Sequence, residues 1–267
     1  MTQIPPSDFT PLDRPEVTGF LFHPRPSYGM VSAGTDLDIP VAEGVRVAGR
    51  FHSAGKNRPT ILFFHGNGEI VDDYESLGPI YTGMGINFLP VDYRGYGRST
   101  GQPAVSAMMA DCHRILAFVT DWMTQEGHTG PLAVMGRSLG SASALELAHH
   151  HPDQISGLII ESGFAYVEPL LRLLRVDPGA IGFRESAGFH HLEKIREYAG
   201  PLLIIHAEWD QIIPYRDGQA LYEAATTADK TLVTVSGAGH NDVLPQGFAK
   251  YMSAIQTLMG KLGTSEA

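Results

Sequence analysis

One serine sits between two glycines, in Gly136-Arg137-Ser138-Leu139-Gly140, where a strongly apolar run gives way to small residues. Pro131-Leu132-Ala133-Val134-Met135 reads as a buried strand, and the run 141–148 reads as a helix. Turning from strand to helix in so few residues calls for a strained, left-handed backbone at the serine. The flanking glycines remove the Cβ atoms that would otherwise collide with neighbouring backbone. Such a turn holds the hydroxyl up as a nucleophile. The five-residue pattern alone also describes a Gly-rich turn; its setting between strand and helix is what distinguishes it.

Along the chain, strands and helices alternate. After a Pro-rich lead-in, 17–22 and 45–51 read as an antiparallel edge of a sheet. Short apolar runs then follow at 60–64, 86–91, 132–135, 158–160, 202–205 and 232–235, separated by stretches long enough for crossover helices. Continuous apolar strands are covered on both faces, so the pattern predicts an α/β fold with a mostly parallel central sheet. No internal repeat or linker interrupts it, and 267 residues suit one α/β domain spanning 1–267.

In such a sheet, chemistry gathers at the carboxyl ends of the strands. The run 61–64 ends in His65-Gly66-Asn67-Gly68, a turn whose backbone N–H groups can face a developing negative charge. A phosphate cradle is not supported, because neither Gly-Lys-Ser/Thr nor G-x-G-x-x-G follows. The run ending at His206 leads into Ala207-Glu208-Trp209-Asp210, and the last strand into Ser236-Gly237-Ala238-Gly239-His240. An acid and a histidine therefore follow the serine in that order.

The order Ser138, Asp210, His240 resembles that of the α/β-hydrolase superfamily. The resemblance spans nearly the whole chain and rests also on Asp92-Tyr93-Arg94-Gly95-Tyr96-Gly97-Arg98-Ser99, Asp210-Gln211-Ile212-Ile213-Pro214 and Gly239-His240-Asn241-Asp242. The motifs look most like a compact subgroup that includes protein depalmitoylases and uncharacterised esterases. The cysteine-rich amino terminus of the membrane-bound depalmitoylases has no counterpart here, so the resemblance does not carry palmitoylated protein over as substrate. It implies Ser138 as nucleophile, His240 as base, Asp210 as the acid that orients it, and the N–H groups of Leu139 and Asn67 as an oxyanion hole. Gly68 is the alternative second donor. Asp92 and Arg94 are expected to brace the site.

Alternatives for the acid stay open. Glu161 also closes a strand and is the main one, while Glu208 neighbours Asp210 and Asp242 follows the histidine too closely to reach behind its ring. The run His149-His150-His151 closes the helix after the nucleophile, where such groups suit unsatisfied carbonyls, so no metal is expected there. His190-His191 stays ambiguous. Between 164 and 199 the alternation breaks: Tyr166, Leu170, Leu171, Leu173 and Leu174 recur at helical spacing, followed by a looser segment with Phe183 and Phe189. The segment reads as a short cap over the site, against the alternative of a plain crossover helix. Leu170, Phe183 and Met108 are the candidate lining of a small or medium acyl pocket.

The chain is therefore expected to be a cofactor-independent serine hydrolase of esters or thioesters, acting through an acyl-enzyme on Ser138. An amidase or peptidase with the same triad, or a non-catalytic ligand receptor on the same fold, are the alternatives. A net charge of −10 without basic clusters disfavours nucleic acid and anionic membrane surfaces as partners. The single cysteine, Cys112, excludes an intrachain disulfide and is expected to be buried in a helix. The opening Met1 to Pro6 has no basic segment leading into an apolar run, and no stretch is apolar enough to span a bilayer, so a cytoplasmic location is expected. Oligomeric state is not legible.

Overall fold

In the computed structural model, which describes residues 4–29 and 32–263, eight strands form one sheet. In chain order the elements are α1 (Pro15–Leu21), β1 (Thr35–Ala42), β2 (Val45–Phe51), β3 (Thr60–Phe64), α2 (Gly78–Gly83), β4 (Asn87–Val91), α3 (Val105–Gln125), β5 (Leu132–Arg137), α4 (Gly140–His150), β6 (Gly157–Glu161), α5 (Glu168–Leu173), α6 (Pro178–Ile181), α7 (His191–Glu197), β7 (Leu202–Ala207), α8 (Tyr215–Ala224), β8 (Lys230–Val235) and α9 (Val243–Gly263). The strand order is β1-β2-β4-β3-β5-β6-β7-β8, with β1 and β2 antiparallel and every pairing from β4 to β8 parallel.

The six predicted parallel strands each coincide with one observed strand. The sheet's antiparallel edge differs from expectation. Residues 17–22 do not form it: they fall largely in α1, and β1 takes the place instead. Pro15 opens that helix at a position where its missing N–H costs nothing, and Val17 is buried against the core.

Period-two alternation sorts the strand side chains into two cores. Leu62, Phe64, Leu89, Val134, Ile160 and Ile204 join the cluster under α3, α4 and α8, whereas Ile61, Phe63, Phe88, Met135, Ile159 and Ile205 join the cluster under α2 and α9. Both faces of the sheet are thus covered, as continuous apolar strands require. Cys112 is buried in α3, where its thiol donates to the Met109 carbonyl.

Residues 164–199 do not behave as one unit. Helix α7 packs on α4 and α8 like an ordinary crossover helix, while α5 and the segment around Phe189 lie over the carboxyl end of the sheet. Among the described residues no helix is long and apolar enough to cross a membrane.

Candidate active site

Ser138 follows β5 directly and has a φ of 52°, the left-handed conformation that the flanking glycines predict. The glycines are required by contact. A Cβ on Gly136 would lie 2.3 Å from the Gly140 carbonyl oxygen, and one on Gly140 would lie 2.1 Å from that of Phe64. Both neighbours are backbone, which cannot swing aside. The Ser138 N–H donates to the Glu161 carbonyl at 2.8 Å, tying the turn to the end of β6.

His240 arrives in the loop after β8, and its Nε2 lies 2.9 Å from Ser138 Oγ. On the other side of the ring, Nδ1 donates to Asp210 Oδ2 at 2.7 Å. That bond places the ring proton on Nδ1 and leaves Nε2 to accept from the serine. Asp210 is fixed in turn: its Oδ1 accepts from the Ile212 and Ile213 N–H groups at 2.9 and 2.7 Å. Burial raises its pKa, but the His240 hydrogen bond and charge, with the two backbone donors, outweigh it and hold the carboxyl below its ordinary value.

The competing acids are engaged elsewhere. Glu161 accepts from Arg137 Nε at 3.1 Å and from the Tyr251 hydroxyl at 2.6 Å. Burial pushes its pKa up against the opposing pull of Arg137. Glu208 accepts from the Gly237 N–H and Asp242 from the Gly239 N–H, so both stabilise the histidine loop from outside the ring's reach.

At the end of β3, the Asn67 side chain is held by three partners: its Oδ1 accepts from the Tyr96 hydroxyl at 2.8 Å and the His23 N–H at 3.1 Å, and its Nδ2 donates to the Leu21 carbonyl. This anchors the turn and leaves the backbone amide for other use. Among the described residues, the N–H groups of Asn67 and Leu139 have no protein acceptor. Asp92 and Arg94 stand behind the site. Asp92 accepts from the Val71 N–H at 2.8 Å, and Arg94 grips Asp111 through two bonds of 2.6 and 2.7 Å.

Ser138, Asn67 and Leu139 open into an apolar cavity of about 140 Å³. Leu170 lines it together with Leu173, Leu174 and Phe189. Two expected lining residues lie elsewhere. Met108 faces the sheet from α3 beside Phe64 and Tyr93, in a separate crevice, because that face of α3 is its core face. Phe183 is buried beneath the Gly188 turn, where its ring fills the space under the loop. Leu12 and Leu21, from the lead-in segment, supply a wall that sequence reading missed. The apolar spacing of Val17 and Leu21 was the available signal, hidden by the strand assignment.

Comparison with known proteins follows the same lines. The sequence profile of a family described as serine aminopeptidase, S33, matches residues 55–180. An uncharacterized protein of Mycobacterium tuberculosis is 30% identical over 226 residues, covering 82% of this chain and 77% of that protein. Alpha/beta hydrolase domain-containing protein 17B of Xenopus tropicalis is 31% identical over 209 residues, covering 76% of this chain and 67% of its own length. Among solved structures, the Pyrococcus furiosus esterase Pf2001 superposes with a TM-score of 0.74 at 16% identity, over 90% of this chain and 99% of that one. At that identity the likeness is one of fold.

Proposed function

The chain belongs to the α/β-hydrolase superfamily and is a serine hydrolase, and from that premise we propose that it cleaves carboxylic esters or thioesters through an acyl-enzyme on Ser138. The observation that carries this reading is the chain of two hydrogen bonds from Ser138 through His240 to Asp210, set at the mouth of an apolar cavity.

In this mechanism Ser138 Oγ attacks the acyl carbon while His240 Nε2 takes its proton. The N–H groups of Asn67 and Leu139 receive the oxyanion, each such donor contributing about 3 kcal/mol to the transition state. His240 then gives the proton to the departing alcohol or thiol. Water, deprotonated by the same imidazole, attacks the acyl-enzyme and frees the acid. Asp210 keeps the imidazole in the productive tautomer and stabilises its cation. The steps need no metal or cofactor.

The cavity favours an acyl chain over a peptide amino terminus. Its lining is nearly all aliphatic or aromatic and offers no carboxylate for a substrate ammonium, which would be costly to bury unpaired. Its size falls below that of pockets for drug-sized ligands, suiting a small or medium acyl group. Turnover of p-nitrophenyl esters, acyl thioesters and aminoacyl anilides by one preparation tests the reading. The esters and thioesters should be cleaved and the anilides spared. Preference for anilides would transfer the chain to the amidases, and failure on all three would favour a ligand receptor.

A further inference from the structure

We propose that His113, Glu146 and His150 form a binding site for a divalent transition-metal ion at the far end of α4 from the serine. One ligand atom from each lies within 4.8 Å of the other two. Two of the separations match the requirement of a metal. Glu146 Oε1 is 3.4 Å from His113 Nε2 and 3.4 Å from His150 Nδ1. Tetrahedral ligands at about 2.05 Å from zinc stand about 3.3 Å apart. The remaining separation, between the two imidazoles, closes by turning the His150 ring, which is about half exposed.

The residues come from two elements, a juxtaposition that the histidine run alone does not reveal. Glu146 and His150 are one helical turn apart on α4, and His113 reaches them from α3. His151 Nε2 lies 2.8 Å from His113 Nδ1, so it can accept that proton and leave His113 Nε2 free for a metal. His150 would give up the hydrogen bond between its Nδ1 and the Glu146 carbonyl and carry its proton on Nε2. His149 turns instead to Glu197, at 3.2 Å.

The charges around the site are mixed. Lys194, from α7, pairs with the second carboxylate oxygen, Glu146 Oε2, so only Oε1 is free for a cation. The carbonyls at the carboxyl end of α4 add negative potential. Neutral imidazoles with one carboxylate suit zinc, copper or nickel better than calcium or magnesium. Along α4, Glu146 and His150 lie about 9 and 15 Å from Gly140, which separates this site from the proposed nucleophile.

Zinc chloride titrated calorimetrically into protein without a polyhistidine tag tests the assignment. One zinc per chain is expected, reversed by chelator, with His113→Gln and His150→Gln each weakening binding by about tenfold or more. Ester turnover and melting in chelator establish that the variants are folded. If the half-buried His113 variant fails to fold, the exposed His150→Gln decides. Absence of zinc binding to the parent protein, or unchanged affinity in a folded variant, would overturn the site.

Discussion

Arg137 Nη2 donates to the main-chain carbonyl of His240 at 3.0 Å, so the residue before the proposed nucleophile also holds the loop of the proposed base. The same guanidinium bonds Glu161 through Nε at 3.1 Å and Glu69 through Nη1. One buried cation thereby joins the ends of β5 and β6, the turn after β3 and the loop after β8. In the motif Gly136-Arg137-Ser138-Leu139-Gly140 its position is formally free, yet the fold spends it on registering the serine against the histidine.

Arg137→Met should therefore destabilise the protein by about 3–5 kcal/mol, because Glu161 would be left as a buried carboxylate, and Glu69 as a partly buried one, without their cation. Urea unfolding measures this. Adding Glu161→Gln to Arg137→Met should recover part of the loss, since it removes one of the stranded charges. Equal stability of the parent and the single variant would show that the network is not holding the loops.

The β-sheet was legible in the sequence because five of its strands, β3 to β7, are buried on both faces and read as continuous apolar runs, while β8, at the sheet's edge, still carries a short one. Of the antiparallel edge, 45–51 was legible as β2, but β1 was not, because 17–22 and 35–42 carry mixed patterns that propensity alone does not separate. The serine turn could be read from Gly136 and Gly140, whose lost Cβ atoms are a geometric necessity. The acid could not be chosen by spacing, since Asp210 and Glu161 both close strands; only the partners of each, His240 for one and Arg137 with Tyr251 for the other, distinguish them. Met108 and Phe183 were misplaced for a related reason. An apolar residue reads the same in sequence whether it faces the core or a ligand.

Asp210→Asn should lower kcat by about four orders of magnitude at unchanged stability of the fold, because the amide no longer fixes the Nδ1–H tautomer of His240. Glu161→Gln should reduce turnover far less and show its main effect in unfolding. Steady-state kinetics beside melting curves separates the two. A larger kinetic loss from Glu161→Gln would reassign the acid.

Neighbouring leucines of α5 should divide into two classes. Leu173 lines the cavity and is 55% exposed, so Leu173→Asn should shift the preferred acyl chain length with little change in Tm. Each buried substrate methylene is worth about 0.8 kcal/mol, and losing a few contacts should change relative rates on longer esters by about tenfold. Leu171 borders the same cavity but is 3% exposed and packed into the core, so Leu171→Ala should cost about 2–5 kcal/mol of stability. Rates on acetyl, butyryl and octanoyl esters, measured with Tm, check both; an unaltered chain-length profile in Leu173→Asn would remove α5 from the acyl pocket.

Acid should expose the Glu146 cluster. Burial raises the Glu146 pKa, but the His113 hydrogen bond and the Lys194 ammonium outweigh it and bring the carboxyl from 4.5 down to about 2. A folded pKa below the unfolded value means stability that is complete above about pH 4.5 and lost as pH falls towards 2, worth about 3 kcal/mol. Glu146→Gln should flatten that part of the stability curve. Urea midpoints between pH 5 and pH 2, taken in chelator, measure it, and parallel curves for the two proteins would contradict the pairing.

The most direct test of the account is covalent. Intact mass spectrometry of the protein treated with a fluorophosphonate should show one adduct, mapped by peptide digestion to Ser138, and Ser138→Ala should lose both the adduct and ester turnover while melting cooperatively. An adduct of the same extent on folded Ser138→Ala, or ester turnover that survives the substitution, would contradict the assignment of Ser138 as the nucleophile.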